Sequence, residues 1–189
     1  MCTKENVIPM TTETKLKETI TTPAGVEATL ENSILTIKGE KGSLSRAFDH
    51  PRVHLTLKGN VITLLCVQSA KRKDKALLGT FQAHINNMIK GVTNGFEYTM
   101  KTVFSHFPIK NSVESNYFLI QNFLGERSPR KARILEGVTV DVKDDIVVVS
   151  GADKENVGQT VANIERASKV KRRDIRVFQD GVYLISKGG

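Results

Sequence analysis

The chain has 189 residues, of which 25% are charged and 39% are hydrophobic, and these proportions are ordinary for a soluble globular protein. Lysine and arginine outnumber aspartate and glutamate by 28 to 20, and the formal charge of +8 favours a polyanionic partner, either a nucleic acid or an acidic membrane surface. The two cysteines exclude a disulfide framework, and no apolar run is long enough to span a membrane. With no signal-like segment at the N-terminus, the cytoplasm is the expected location.

Residues 1–22 are polar and rich in threonine, which predicts a flexible N-terminal extension. A fifteen-residue pattern follows, and it occurs twice: residues 25–39 align without a gap on residues 137–151. In both copies apolar and polar residues alternate on either side of a polar pair, which predicts strand, turn and strand. A helical stretch follows each copy. The repeat predicts an α+β fold of two similar domains made by internal duplication, 23–93 and 94–189, each with a mostly antiparallel sheet packed against one long helix.

In the first domain, residues 43–48 are predicted as a further strand, and residues 53–57 and 61–65 as a hairpin. A helix follows, for which Asp74 is the candidate N-cap and Gly91 the candidate stop. The predicted buried face of this helix consists of Leu77, Phe81, Ile85, Met88, Ile89 and Val92.

The second domain opens with predicted strands at 96–104 and 117–124. Its helix is predicted from about Asp153 to Ser168, with Val157, Val161, Ile164 and Ser168 on one face. The turn at Asp180-Gly181 predicts a short last strand over 182–185.

No motif in the sequence supports catalysis. The histidines and cysteines lack metal-ligand spacing, and no glycine-rich loop carries the lysine and hydroxyl residue of a phosphate-binding loop. A hydrolase would need a nucleophile paired with a base, and the sequence offers none.

The most informative cluster comes directly after the second predicted helix, where residues 169–176 hold five basic residues and one acid. Cations at a helix C-terminus are favourable in any protein, but a solvated helix end needs one or two of them. The excess favours contact with phosphates, and Phe178 and Tyr183 could stack on a base or sugar. A weaker basic patch lies at 127–133, and the run at 71–75 is also explained as a solvated first helical turn.

Four stretches resemble a known family, the universal large-subunit ribosomal protein six family, which is called protein nine in eukaryotes. The resemblance is to the archaeal and eukaryotic branch of that family. They are HINNMIKGVTxGFxYxMK at 84–101, SHFPI at 105–109, NFLGE at 122–126 and DIRxFxDGVY at 174–183. The resemblance runs from about Val26 to Lys187. One departure is Gln68-Ser69-Ala70, which stands where the family has a pair of tryptophans.

The resemblance implies two duplicated α+β domains, assembly as a single copy into the large ribosomal subunit, and no enzymatic activity or cofactor. In this family the second domain grips large-subunit rRNA beside the sarcin–ricin loop, close to where translational GTPases dock. Neighbouring large-subunit proteins are the other expected partners, and no membrane is involved. The predicted RNA-binding residues are Lys169, Lys171, Arg172, Arg173, Arg176, Tyr183, Lys187, Arg127, Arg130, Lys131 and Arg133. The alternative is a non-ribosomal RNA-binding accessory factor with the same fold.

Overall fold

The computed structural model describes residues 16–66 and 72–188. Residues 1–15 of the predicted N-terminal extension, and the 68–70 segment that replaces the tryptophan pair, lie outside the described residues. The strands and helices of the described part are β1 (Lys17–Thr21), β2 (Glu27–Glu31), β3 (Ile34–Gly39), β4 (Gly42–Ala47), β5 (Val53–Lys58), β6 (Val61–Cys66), α1 (Arg72–Thr93), β7 (Phe96–Val103), β8 (Lys110–Glu114), β9 (Tyr117–Gln121), β10 (Arg130–Arg133), β11 (Val138–Lys143), β12 (Ile146–Gly151), α2 (Lys154–Ala167) and β13 (Gly181–Gly188).

These elements form two α+β units, as predicted, and every strand pairing in them is antiparallel. In the first unit the sheets have the orders β1-β6-β5 and β2-β3-β4; in the second they have the orders β11-β12-β7-β13 and β8-β9-β10. Each unit has its own hydrophobic cluster, one built from the elements between β1 and α1 and the other from those between β7 and β13. The predicted fold class is confirmed.

The two units correspond in chain order, because six strands and a helix in the first match six strands and a helix in the second. Sheet β1-β6-β5 takes the place of β7-β12-β11, and sheet β2-β3-β4 takes the place of β8-β9-β10. The hairpin at 137–151 is therefore equivalent to β5–β6, and the hairpin at 25–39 is equivalent to β8–β9. The predicted superposition of 25–39 on 137–151 is wrong, although the duplication behind it is real.

An offset of 85 residues aligns the equivalent hairpins, and their details agree. Ile62 and Leu64 on β6 are fully buried, as are Val147 and Val149 on β12. Gly59 and Asp144 open the two turns with φ of +58° and +49°. The misaligned pair looked equally good because any hairpin with one buried face and a polar two-residue turn produces the same alternation.

The start of the first unit differs from the prediction. Residues 17–21 form β1, which pairs along its whole length with β6, and the Ile20 side chain is buried. The predicted extension therefore does not reach residue 22. Because β1 carries a single buried apolar residue, its sequence looked like a tail, and its stability comes from backbone pairing with a strand about forty residues away.

Helix α1 buries Ile85, Met88, Ile89 and Val92 as predicted, and it also buries Leu78. Two predicted members of the face, Leu77 and Phe81, are only half-buried. The Phe81 ring packs edge-on against Phe48, with 5.2 Å between ring centroids.

The predicted ends of α1 need correction. Asp74 lies inside the first turn instead of capping it, and its buried carboxylate accepts a hydrogen bond from the Arg52 guanidinium at 3.1 Å. Gly91 does not stop the helix, which continues to Thr93. Gly95, with φ of +73°, takes the left-handed conformation that turns the chain into β7.

Helix α2 spans Lys154–Ala167, in agreement with its prediction. Asp153 caps it by accepting a hydrogen bond from the Glu155 amide at 2.9 Å, and Ser168 follows its last residue. The last strand, β13, is longer than predicted and pairs with the outer edge of β7, with an irregularity between Leu184 and Ser186.

The two units touch where α1 ends and α2 begins. Within the first unit, the Lys41 amide fixes the last turn of α1 by donating to the Val92 carbonyl oxygen at 3.0 Å. The Glu155 carboxylate in the first turn of α2 accepts a hydrogen bond from Arg46, and its Oε1 lies 3.3 Å from Nδ1 of His84. A Cβ atom on Gly91 would overlap the carbonyl oxygen of Ala152, so the backbones of the two units approach each other closely here.

Candidate nucleic-acid interface

The predicted basic cluster lies on residues 169–180, which connect α2 to β13 without regular secondary structure; we call this segment the basic loop. All of its cationic side chains are exposed to solvent, and that of Arg176 is 90% exposed. Its cationic residues are Lys169, Lys171, Arg172, Arg173 and Arg176.

Both ends of the basic loop are fixed to the second core. At the start, the buried Ser168 hydroxyl accepts a hydrogen bond from the Val182 amide at 3.1 Å and lies 3.1 Å from the Glu165 carbonyl oxygen, to which it donates. At the end, the buried Asp180 carboxylate accepts a hydrogen bond from the Ser105 amide at 2.6 Å. The cations therefore extend from a rigid base.

The acid within the cluster shapes the loop. Asp174 accepts a hydrogen bond from the Arg176 amide on its carboxylate at 2.9 Å, and its carbonyl oxygen accepts another from the Phe178 amide at 2.9 Å. The Arg173 guanidinium carbon lies 4.7 Å from the centroid of the Phe178 ring, within cation–π range. Asp174 thus closes a turn, and the loop presents cations beside an aromatic ring.

Arg130, predicted as an RNA contact, is engaged within the protein. Its Nε and Nη2 donate to the Glu126 carboxylate at 2.8 and 2.6 Å, and its Nη1 donates to the carbonyl oxygens of Ala167 and Lys169 at 3.0 and 2.8 Å. The guanidinium also lies over the Phe123 ring, 4.0 Å from the centroid. Four of the five N–H donors of a guanidinium are used in this way, so little remains for a phosphate.

The charges around Glu126 show that the two predicted patches adjoin. The hydrogen bond from Arg130 lowers the pKa of this carboxyl, and the positive charge of Arg130 adds to the effect. The charges of Arg173 and Lys171 lower the pKa further, while burial opposes them. The 127–133 patch therefore meets the basic loop at Glu126.

The other predicted contacts are exposed but do not form one group. Lys131 and Arg133 alternate with the inward-facing Ala132 on β10, so they lie on the strand face opposite α2. Tyr183 pairs with Lys101 in the sheet register, which places its ring on the open sheet face, and its hydroxyl donates to the Gln179 carbonyl oxygen at 3.0 Å. Lys187, on the same strand, and Arg127 are exposed as well.

Three residues that hold this surface were not identified from the sequence as contributors to it: Glu126, Ser168 and Asp180. The sequence predicts Asp180 only as a turn residue, and Ser168 only as a member of the apolar helix face at its C-terminal end. An acid four residues before an arginine was the one available signal for the Glu126–Arg130 pair, and this spacing is common on surfaces.

Among the described residues of the first unit, no counterpart of the basic loop is found. Helix α1 passes into β7 through Asn94 and Gly95 alone, and the Asn94 carbonyl oxygen accepts a hydrogen bond from the Lys41 side chain of the same unit. In the part of the chain that the structure describes, no three metal-ligating side chains lie close enough together to hold a metal ion. Of the described helices, neither is both long and apolar enough to cross a membrane.

A duplicated α+β scaffold with a strongly cationic loop, anchored at both ends on its second unit, defines a protein suited to binding a polyanion through its surface. Comparison with known proteins makes this class specific. The family model described as Ribosomal protein L6 matches the chain twice, over residues 22–95 and 107–181, and the two matches follow the two structural units. The chain belongs to this family, in its archaeal branch.

Curated relatives extend over nearly the whole chain. "Large ribosomal subunit protein uL6" of Methanobrevibacter smithii is 51% identical over 173 residues, which is 91% of this chain and 96% of the relative. The proteins of the same name from Methanospirillum hungatei and Methanosarcina mazei are 45% and 43% identical, over 91% and 92% of this chain and 97% and 98% of their own lengths. Membership of a ribosomal protein family confirms the prediction that the chain is not an enzyme.

Proposed function

We propose that this chain is a structural component of the cytoplasmic large ribosomal subunit and that it binds large-subunit rRNA through the basic loop. The curated relatives are named as large-subunit proteins and cover the chain almost completely, which supports the subunit assignment over a non-ribosomal accessory role. Its partners are then the rRNA and the neighbouring ribosomal proteins, with one copy in each ribosome.

One observation carries the assignment of the RNA contact, namely the contrast between the ends of the two equivalent helices. After α1 the chain turns directly into β7, whereas after α2 five exposed cations follow on a loop tied to the core at Ser168 and Asp180. A connection of this length can form without a cluster of five cations, so the additional charge indicates a polyanionic partner. Phosphate contacts of this kind position a protein on folded RNA without reading its sequence.

Within the subunit, we place the second unit beside the sarcin–ricin loop, close to the docking surface of the translational GTPases, as the family resemblance implies. The contacting set is the exposed cations of the basic loop, extended by Arg127, Lys131, Arg133, Tyr183 and Lys187 where the RNA reaches the other faces of the unit. Arg130 is left out of this set because its donors are already in use.

The test compares two double variants that each lose two positive charges, one in the basic loop and one elsewhere on the protein. Arg172→Ala with Arg173→Ala should weaken binding to a large-subunit rRNA fragment and reduce the slope of log affinity against log salt by about two units, roughly one for each lost phosphate contact. The control removes Lys38 and Lys58, two exposed cations on strands of the first unit, so the net charge changes equally. It should leave the slope almost unchanged.

Sedimentation with the large subunit after a high-salt wash tests the assembly itself. Failure of the wild-type chain to co-sediment would contradict the ribosomal role. Equal slopes for the two double variants, with melting temperatures near the wild-type value, would instead show that the basic loop is only a solvated helix end.

A further inference from the structure

We propose that Arg130 is a positioning residue, whose contacts hold the start of the basic loop in the geometry that receives RNA, and that Glu126 is its partner in this role. The proposal rests on the RNA-binding function proposed above. It assigns to Arg130 a role that differs from contact with phosphate.

The first step is what Arg130 does to the end of α2. The last carbonyl oxygens of a helix have no partner within the helix, and they carry a partial negative charge. Nη1 of Arg130 donates to the carbonyl oxygens of Ala167 and Lys169 at 3.0 and 2.8 Å. These two residues flank Ser168, whose hydroxyl is bonded to β13. One guanidinium therefore fixes the point at which the chain leaves the helix and becomes the basic loop.

The second step is how Arg130 is itself held. It lies on β10, whose pairing with β9 fixes its backbone. Both oxygens of Glu126 accept from the guanidinium, a paired geometry that fixes orientation as well as distance. The Phe123 ring covers one face, and the side chain is only 19% exposed. A phosphate could bind Arg130 only by displacing Glu126 and by releasing the two carbonyl oxygens.

The third step is the consequence for binding. A loop that is already ordered presents its cations without losing conformational freedom when RNA binds, whereas a loosened loop must be ordered at that moment. Loss of the Arg130 contacts should therefore weaken binding about tenfold, while every phosphate-contacting cation is still present. The number of released counterions, and hence the salt slope, should stay the same.

The experiment uses the full chain, the same rRNA fragment and two readouts, the salt dependence of affinity and hydrogen exchange of the amides in 169–180. Arg130→Gln removes one charge; Lys38→Gln, at an exposed cation of the first unit outside the proposed contacting set, is the control of equal charge change and should alter neither readout. For Arg130→Gln we expect weaker binding at every salt concentration with an unchanged slope, and faster exchange in the loop but not in β7 or β12. A slope reduced by about one unit with unchanged loop exchange would show a phosphate contact and overturn the proposal.

For a second variant, the proposal predicts a change in RNA affinity opposite to the one that charge alone predicts. Glu126→Gln removes a negative charge beside the basic loop, which by itself should tighten binding to a polyanion. If Glu126 holds Arg130 in place, the same variant should bind RNA more weakly and exchange its loop amides faster. Tighter or unchanged binding would overturn the proposal, including in the case where Arg130→Gln fails to fold.

The two proposals can fail separately. If the wild-type chain does not bind the rRNA fragment, the proposed function fails, and loop exchange still reports whether Arg130 and Glu126 order residues 169–180. If RNA binds but exchange and affinity are the same in wild type and Arg130→Gln, the positioning role alone is refuted.

Discussion

Gly91 offers a direct test of how the two units are held together. It is buried in the last turn of α1, where a Cβ atom would overlap the carbonyl oxygen of Ala152 and lie 3.1 Å from its carbonyl carbon and 3.2 Å from the Phe96 ring. Ala152 directly precedes Asp153, the N-cap of α2, so the obstacle is backbone that cannot move without shifting the start of that helix.

The size of the effect follows from two opposing terms. Alanine in place of glycine inside a helix favours folding by about 0.5–1 kcal/mol. Overpacking a tight contact costs about 1–3 kcal/mol, and more where the neighbour is backbone. Gly91→Ala should therefore lower the free energy of unfolding by about 1–2 kcal/mol or more. Gly79→Ala in the same helix is the control, because nothing lies within 4 Å of the added methyl group and only the favourable term applies.

Urea unfolding of both variants measures this difference, and hydrogen exchange locates it. Gly91→Ala should speed exchange of the Lys41 amide, which donates to the carbonyl oxygen of Val92, the residue next to Gly91 in the last turn of α1, while Gly79→Ala should not. If Gly91→Ala were as stable as Gly79→Ala, with the Lys41 amide equally protected, the close approach of the two backbones would not determine how the units fit together.

Two further predictions concern the first core and the loop. Ile85→Ala, at a fully buried position, should lower the free energy of unfolding by about 2–5 kcal/mol in urea unfolding. Phe81→Ala should cost less than the ~3–5 kcal/mol usual for a buried phenylalanine, because this ring is only partly buried; a loss in or above that range would contradict the prediction. The pKa of Glu126 is lowered in the folded protein, so the order that this carboxylate confers on the loop should be complete above the ordinary glutamate pKa and should disappear as pH falls through the lowered value. Hydrogen exchange of the loop amides, corrected for the intrinsic pH dependence of exchange, should show this acid transition in the wild type. If the transition persisted in Glu126→Gln, a group other than Glu126 would be responsible for it.

Local patterns predicted much of this fold because they have local causes. Alternating apolar residues predicted strands at the positions of β5, β6, β11 and β12, and helical spacing predicted α2. The basic cluster was also visible, since like charges this dense at a helix end have few structural explanations. The predicted equivalence of the hairpins at 25–39 and 137–151 was wrong. Hairpins that bury one face and have a polar turn share the same alternating pattern, so the pattern does not identify which hairpins correspond.

The remaining errors concern contacts between residues that are distant in the sequence. Gly91 looked like a helix stop because glycine often is one, and the carbonyl of Ala152, which requires it, comes from the other unit. Arg130 looked like part of a basic patch, and the carbonyl oxygens it binds lie 37 and 39 positions away along the chain. In both cases the residues next to Gly91 or Arg130 in the sequence give no sign of the distant contact.

The connections that follow the two equivalent helices differ, and this difference accounts for the position of the basic loop. Helix α1 has 22 residues and α2 has 14, and the last turn of α1 makes the contact with the second unit. After α2, which is capped at Ser168, the chain instead crosses to the outer edge of β7 and forms β13 there. The basic loop is this return path. It lies outside both cores, so cations can accumulate along it without disturbing the packing, provided that its ends stay fixed at Ser168 and Asp180.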